Sequence, residues 1–589
     1  MLEKYLKDLV GIEDFVRVEN GQYKLNSKYK IGKIVLQNQI AILKLGNSAQ
    51  KIYIEFDNLN GSYNNDIVIA KVIFNPKGKT KAKVLKVLES SNDSVLSYLK
   101  DNSLYTFKEN VKLEYKNKNY NEGDVLIFQN NEIVKSFGNI SNPKIDEKIS
   151  LYLYDELFRL DNVSSSKKYT PISSQKRVDL THLPFATIDP IGAKDYDDAI
   201  YYDEETQELF VAIADVSAYV QENDILDQEA RKRSFSVYLP HKVLPMLPFE
   251  LSNNLCSLVP NEDRLAYVFK IKLDLKHAKV KSSTLFEATI NSKRRFTYEE
   301  IDEIIDIGDK ENEYLKLYNI TKKYRKKRLE NGYDFRNDEI RLNLDSDESF
   351  KDVNIESSTA SHSLIEECML LANQEAAKKL NNFGIFRIHE QPSQAKISKL
   401  IDDVNSLGIK AKLKHDIHTT IISIQEKAQH VGLESEVDEL IIQSQQQAHY
   451  GSVKKEHFGL GFTDYSHFTS PIRRYADLIL HRILKSAKIP KEIDEICTKI
   501  SDQEREIASL VWDFEDRKYA RWGASNLDMI LKAKIVDTQK PTAKFDESII
   551  GARVELENYA GEKLFTVVNI KIISSDIISK KIIGRIVEK

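Results

Sequence analysis

The sequence predicts a multidomain protein in which a mixed α+β centre is flanked by small β-barrels, two before it and one after. Three observations predict this. A chain of 589 residues exceeds what one hydrophobic core supports. Short alternating strands fill residues 29–140 and return after about residue 531. Between them, helical periodicity takes over as the chain proceeds.

The first 28 residues form an N-terminal segment. From Tyr29 onward, Lys30–Leu36, Ile40–Leu45, Lys51–Phe56, Asp66–Ile73, Val111–Tyr115 and Asp124–Phe128 alternate β-branched or aromatic residues with polar ones. Asn60-Gly61 and Pro76-Lys-Gly78 supply turns. This spacing fits two barrels in succession, over residues 29–90 and 91–140, with a boundary near Glu89-Ser-Ser-Asn92. Residues 141–178 read as a connector, with an amphipathic helix over Glu147–Leu160 and a polar segment over Ser164–Pro171.

The centre spans residues 179–530. Leu209–Ala214 and Ala266–Leu273 have strand character. Helices are expected at Thr297–Ile307, Ser363–Leu380, Thr420–Ala428, Val437–Gln447 and Tyr475–Ser486, and along the charged stretch Lys491–Arg521. Strands at Lys534–Val536, Gly551–Leu556, Leu564–Ile572 and Lys581–Val587 then make a third barrel, residues 531–589, the size of one OB unit.

Charged residues at 30% and hydrophobic residues at 41% suit ordered cores, and no apolar run is long enough to span a membrane. The charged N-terminus is unlike a signal peptide, so a cytoplasmic chain is expected. Cys256, Cys368 and Cys497 are too few and too scattered for a disulfide framework or a Cys-rich zinc site. A net charge of −4 does not advertise a nucleic-acid binder, but Lys77–Lys86, Lys293–Arg295 and Lys322–Arg328 are local candidates for phosphate contact.

The most informative stretch is Thr187–Ile200, which holds Asp189, Asp195, Asp197 and Asp198 within ten positions. Crowded carboxylates repel one another, so a divalent cation or a cationic partner is expected to neutralise them. Oxygen ligands without neighbouring Cys or His favour Mg²⁺, with Mn²⁺ as a substitute. Gly192 would let the chain turn sharply so that both flanks converge. A calcium-style structural loop is the alternative, although the EF-hand ligand order and its terminal Glu are missing.

Thr-Ile-Asp-Pro followed by Ala-Lys-Asp-Tyr-Asp-Asp-Ala-Ile resembles the signature of the ribonuclease II and ribonuclease R family, the RNB family. Tyr238-Leu-Pro240, Leu244–Pro248, Glu250–Leu258, Ile365–Asn373, Phe386–Pro392 and His467–Asp477 are similar to its further blocks, in the family's order. The resemblance covers about residues 180–485. It implies a processive 3′→5′ exoribonuclease that hydrolyses single-stranded RNA to nucleoside 5′-monophosphates. It also implies an α+β RNB catalytic domain between two N-terminal cold-shock-like barrels and a C-terminal OB RNA-binding barrel, in a monomer.

Under this resemblance Asp189, Asp195 and Asp198 are the expected metal ligands, and Asp197 matches the aspartate whose loss abolishes cleavage but not RNA binding. Phosphodiester hydrolysis also needs a cation for the charge that builds in the transition state. Arg473 and Arg474 are the candidates: one faces the phosphate, the other is free to anchor the next helix through a carboxylate such as Asp477. Tyr238 matches the tyrosine that holds the terminal nucleotide, and Phe335 the phenylalanine that closes the stack upstream. His389, His467 and His481 are expected to be structural or, for the first two, to hydrogen-bond RNA.

Three departures stand beside the resemblance. Ala508–Arg517 matches the family's Ala-Glu-Arg element poorly, the terminal barrels carry few stacking aromatics, and no long basic tail follows Lys589, so weak duplex unwinding is expected. The rival reading is a catalytically silent RNA-binding protein on the same scaffold.

Overall fold

The protein is described from a computed structural model covering residues 5–7, 9–19, 22–37, 40–46, 51–60, 62–73, 80–89, 94–113, 115, 119–129, 132–154, 169–172, 176–335 and 338–587. The chain forms two compact bodies. The first comprises Met1–Leu153 with the short pieces Asp347–Ser349 and Asp576–Lys580, and the second holds the remainder.

In the first body a hairpin, Val16–Glu19 with Gln22–Leu25, precedes a closed barrel. Its strands run in the order Tyr29–Gln37, Ile40–Lys44, Lys51–Ile54, Lys81–Glu89, Ile67–Ile73. Alternation places Ile34, Leu43, Ile52, Val68 and Val84 inside. A five-stranded sheet follows, in the order Lys112–Leu113, Ser103–Thr106, Val95–Lys100, Asp124–Gln129, Glu132–Asn139.

Several expectations need correction here. The strand expected over Val111–Tyr115 shrinks to Lys112–Leu113, and the one over Lys51–Phe56 ends at Ile54, where a 3₁₀ turn begins at Phe56. The hairpin Val16–Glu19 with Gln22–Leu25 and the strands Lys81–Glu89, Val95–Lys100, Ser103–Thr106 and Glu132–Asn139 were not expected. The helix begins at Asp146 and is described to Tyr154; its expected continuation to Leu160 lies outside the described residues. So do Gly61, the Pro76-Lys-Gly78 turn, Ser90–Asn92 at the expected boundary, Lys77–Lys79 and most of the Ser164–Pro171 connector.

The second body is built on a seven-stranded sheet. Its order is Val178–Asp179, Lys279–Asn291, Asp263–Asp274, Glu208–Ala214, Asp198–Asp203, Ala186–Ile188, Arg294–Phe296. The central pairings are antiparallel and the two edge strands join in parallel. Glu208–Ala214 lies mid-sheet and is buried on both faces, so its apolar run is nearly continuous.

Helices cover the sheet. Tyr298–Ile307 starts with a capping box, Thr297 with Glu300, and stops at Gly308, whose positive φ of 74° closes the last turn. Ala360–Lys379, Tyr475–Ser486 and the 33-residue helix Ile493–Ser525 contribute to the same core. Gln394–Ser406, Ile417–Val431 and Glu434–Ser444 form a separate helical cluster. The chain ends in a closed barrel ordered Ile530–Asp537, Thr542–Phe545, Arg553–Leu556, Lys581–Val587, Val567–Asp576.

One buried ion network locks the sheet to the helix Tyr475–Ser486. Asp215, fully buried, receives Lys485 Nζ on both oxygens at 2.6 Å and Arg177 Nη2 at 2.7 Å. Both cations also reach Glu287, at 2.7 and 3.0 Å. Burial alone would raise the Asp215 carboxyl; Lys485 and Arg177 together outweigh it and pull it down to about 2. A depressed carboxyl stabilises the fold above its unfolded value near 4 and loses that contribution as pH falls toward 2. Asp215→Ala is therefore expected to cost about 3–5 kcal/mol at pH 7, leaving Arg177 and Lys485 to share Glu287 alone. Urea unfolding of parent and variant should show the gap narrowing below about pH 4; a gap that stays constant to pH 2.5 would contradict the assignment.

Candidate active site

The aspartate cluster lies at one end of the central strands. Asp189 follows the strand Ala186–Ile188, and its N–H donates to Phe296 O on the neighbouring parallel strand at 3.1 Å. The loop that follows is pinned at several points. Tyr196 N–H donates to Ser257 Oγ at 3.0 Å, Ser257 Oγ donates to Lys194 O at 2.9 Å, and Leu258 N–H donates to Tyr196 O at 3.0 Å. Asp198 opens the next strand opposite Ile213, and Ala214 N–H donates to Asp197 O at 2.8 Å.

Gly192 does not carry the turn as expected. Its φ lies outside the left-handed region and a Cβ there would meet nothing within 4 Å. The shape of the loop comes from Ser257 and the sheet.

Asp197 is only 4% exposed. Its Oδ1 accepts the Ile472 N–H at 2.9 Å, while its buried Oδ2 makes no hydrogen bond and faces Arg473 Nε at 3.5 Å. Burial raises this carboxyl well above its ordinary range, against the opposing pull of Arg473. Burial, then the neighbouring Asp198, pushes Asp189 up to about 8, and its Oδ2 is also buried without a partner. Asp198 is pushed to about 6 by burial, opposed by Arg473 and Arg474. Three adjacent carboxyls thus resist ionising where they stand.

The two arginines divide. Arg474 Nη2 donates to Asp477 Oδ1 at 2.8 Å, and the same fully buried oxygen accepts Ser470 N–H at 2.8 Å. Arg474 is thereby the helix anchor. Arg473, whose side chain is 43% exposed, points toward Asp197 with only a 3.1 Å bond to Ser470 Oγ. The strand Val237–Leu239 is tied to this loop through Ser236 N–H to Arg473 O at 3.0 Å. It carries Tyr238, 44% exposed, whose hydroxyl donates to Asp195 Oδ2 at 2.8 Å.

Phe335 does not join this group: it is half-buried against Tyr333, ring centroids 6.2 Å apart, on the separate helical cluster. His467, His481 and His389 each make an internal hydrogen bond. His467 Nδ1 pairs with the Tyr450 hydroxyl at 2.8 Å, His481 Nε2 with Phe468 O at 2.8 Å, and His389 Nδ1 accepts Gly459 N–H at 3.0 Å. Of the basic stretch Lys322–Arg328, Arg325 and Arg328 are spent on Asp334, Glu366 and Glu367.

Ser257 lies in the Glu250–Leu258 block but was not singled out as the residue that pins the acidic loop, and Tyr298 was not singled out at all. The Tyr298 phenol is raised by burial and then by Asp198 and Asp189, and its ring stacks on His362 at 3.8 Å. An aromatic beside Arg294-Arg295-Phe296 was the only available signal.

The donor set suits a hard divalent cation: oxygen ligands only, one oxygen of Asp189 buried without a partner, and the Asp189 and Asp198 carboxyls raised for want of positive charge. Among the described residues no three acidic, His or Cys side chains are drawn into one closed ligand set. Mg²⁺ does not need one, because it keeps several waters and takes one or two carboxylates together with substrate phosphates.

The chain is similar to known proteins over most of its length. Residues 177–489 match the model of the RNB domain family, and residues 95–151 match that of the ribonuclease R second OB domain. Ribonuclease R of Helicobacter pylori is 32% identical across 98% of this chain and 95% of its own length. The fold is similar to that of Mycoplasma genitalium RNase R in complex with ribose methylated single-stranded RNA, with a TM-score of 0.77 at 24% identity, covering 95% of this chain and 100% of the other. It is also similar to yeast Ssd1, a pseudonuclease, with a TM-score of 0.64 at 16% identity, covering 90% and 79%.

The unequal arginines yield a stability test. Arg474→Met strands the buried Asp477 and should cost about 3–5 kcal/mol. Arg473→Met, at a largely open side chain, should cost less than about 1 kcal/mol. Chemical denaturation of both variants decides it, and equal losses would contradict the division.

Proposed function

The chain belongs to the RNB family, and we propose that it is a 3′→5′ exoribonuclease cutting single-stranded RNA processively to nucleoside 5′-monophosphates where Arg473 faces Asp197. That juxtaposition carries the reading. A buried carboxylate holds an arginine beside a cluster of carboxylates, and the arginine keeps most of its donors free for an anion.

Roles follow from position. The Arg473 guanidinium takes a non-bridging oxygen of the scissile phosphate and offsets the charge that grows there. Asp197, clamped by Ile472 N–H, fixes that guanidinium and borders the reacting phosphorus. Tyr238 presents its ring to the terminal base while Asp195 holds its hydroxyl, and Phe335 offers the open part of its ring further upstream. Nucleases of this family are metal-dependent; here Asp189, Asp195 and Asp198 would hold the cation, Mg²⁺ with Mn²⁺ as a substitute. When bound, it activates water and neutralises phosphate charge.

The same proposal includes the domain limits 29–90, 91–140, 179–530 and 531–589, a monomeric state and a cytoplasmic location. Among the described residues no helix is long and apolar enough to cross a membrane.

Fold alone does not exclude a silent RNA binder, since a pseudonuclease shares it. The residues favour the enzyme: all four aspartates and both arginines are present, and the partnerless buried oxygens of Asp189 and Asp197 fall within one acidic loop.

Incubation with 5′-labelled single-stranded RNA and Mg²⁺ should show progressive shortening from the 3′ end, abolished by chelation. Asp197→Asn should lower the rate at least about a thousandfold with RNA affinity retained. Binding without cleavage by the parent, in Mg²⁺ or Mn²⁺, would favour the silent reading. Tyr238→Ala should weaken RNA binding by about 1–3 kcal/mol, read as a 5- to 150-fold rise in Kd of roughly that range.

A further inference from the structure

The segment that leads to Phe335 belongs to no helix or strand, yet each of the three residues before that ring is held from another part of the chain. It follows the helix Glu313–Arg328. Gly332 O pairs with His418 Nε2 at 3.3 Å, Tyr333 N–H donates to Gly459 O at 2.9 Å, and Asp334 O accepts Gln425 Nε2 at 3.0 Å. The buried Tyr333 ring lies between Phe458 and His418, with centroids 5.3 and 5.1 Å away. A Cβ on Gly332 would lie 2.7 Å from the Leu460 carbonyl carbon, and one on Gly461 would lie 2.6 Å from Gly332 N, so the two backbones touch and neither position accepts a side chain. The facing loop is fixed in turn: His389 Nδ1 accepts Gly459 N–H at 3.0 Å, and His457 Nδ1 accepts Leu460 N–H at 3.2 Å.

Arg325 completes the clamp from the last turn of its helix. Its Nη2 and Nε donate to the two oxygens of Asp334 at 2.7 and 3.2 Å, and its Nη1 donates to Glu366 Oε2, on the helix Ala360–Lys379, at 2.7 Å. A planar guanidinium bonded to both oxygens of a carboxylate fixes direction as well as distance. Asp334 immediately precedes Phe335, whose ring is half-buried beside Tyr333. Ion pairs between partly exposed side chains add little to stability, so placing the neighbouring ring is the better account of this one.

We propose that Arg325 is a positioning residue for RNA: by holding Asp334 it aims the Phe335 ring at upstream bases and strengthens the grip on chains long enough to reach it. This role rests on the stacking proposed above for Phe335. A loose aromatic must be ordered when a base arrives, at a cost of about 0.5–1.5 kcal/mol, and a clamped one is ordered beforehand. Arg325 therefore acts on affinity and on substrate length, not on the cleavage step.

Equilibrium RNA binding by the full chain, with EDTA present so that no cleavage intervenes, tests this on single-stranded oligoribonucleotides of increasing length. Arg325→Gln and Asp334→Asn should each raise the Kd of long chains about threefold to tenfold and leave that of the shortest unchanged. Asp334→Asn is the decisive variant because it removes a negative charge. Attraction of the RNA backbone alone would tighten binding in it, whereas a released ring weakens binding. In a Phe335→Ala background neither change should cause further loss. A long-chain Kd that is unchanged or lowered in Asp334→Asn, equal losses at every length, or losses that add to that of Phe335→Ala overturn the proposal. Where Phe335→Ala weakens long-chain binding and the Arg325 and Asp334 variants do not, this proposal alone fails. Where Phe335→Ala changes nothing, the stacking role fails and takes this one with it.

Discussion

Burying a carboxylate without a full complement of partners is costly, and Asp197 is where this fold accepts that cost. One oxygen is held by the Ile472 N–H, 275 positions away in sequence, and the other is left facing Arg473. This bond joins the acidic loop to the arginine loop. The surrounding contacts keep it in place: Ser257 fixes the acidic loop from below, Asp477 fixes the arginine loop through Arg474 and Ser470, and Ser236 couples Tyr238 to Arg473. Each holds backbone, so the reactive side chains need little structural work of their own.

Two aspartates at the same end of the sheet show how position separates structure from chemistry. Asp215 directly follows Ala214, whose N–H is bonded to Asp197 O, so the two residues sit across one strand pair. Asp215 is given two cations, Lys485 and Arg177, and they suffice to draw its carboxyl to about 2. Asp197 is given a single amide and a distant guanidinium, and its carboxyl moves the opposite way. Burial is common to both. What differs is whether the protein supplies the opposing charge or leaves that to something it binds.

The barrels were legible in the sequence because alternation of β-branched and polar residues survives at single-strand scale, as in Ile40–Lys44. Lys81–Glu89 was hidden because lysines on its open face dilute the apolar signal, and Ser103–Thr106 because four residues carry too little pattern. The acidic cluster was legible as local crowding, and Arg474 with Asp477 as an i, i+3 pair at a helix start. The choice between the arginines was not, since it depends on where Asp197 lies in space. Gly192 misled for the opposite reason: a glycine suggests a turn that needs it, while this turn is imposed by Ser257 from another part of the chain.

Enzyme and silent binder on one scaffold differ in what they must leave unsatisfied. A binding protein gains by pairing every buried polar atom, because each orphan oxygen weakens the fold and nothing in the complex repays it. Structural carboxylates of the second body are paired to different degrees: Asp227 takes three donors and Glu367 is met by Arg328, while one buried oxygen each of Asp477 and Glu229 lacks a partner. What sets Asp189 and Asp197 apart is that their partnerless Oδ2 atoms belong to one acidic loop, where a bound cation would satisfy them. The fold would be cheaper to maintain without them, and catalysis is the role that gives a reason to keep them.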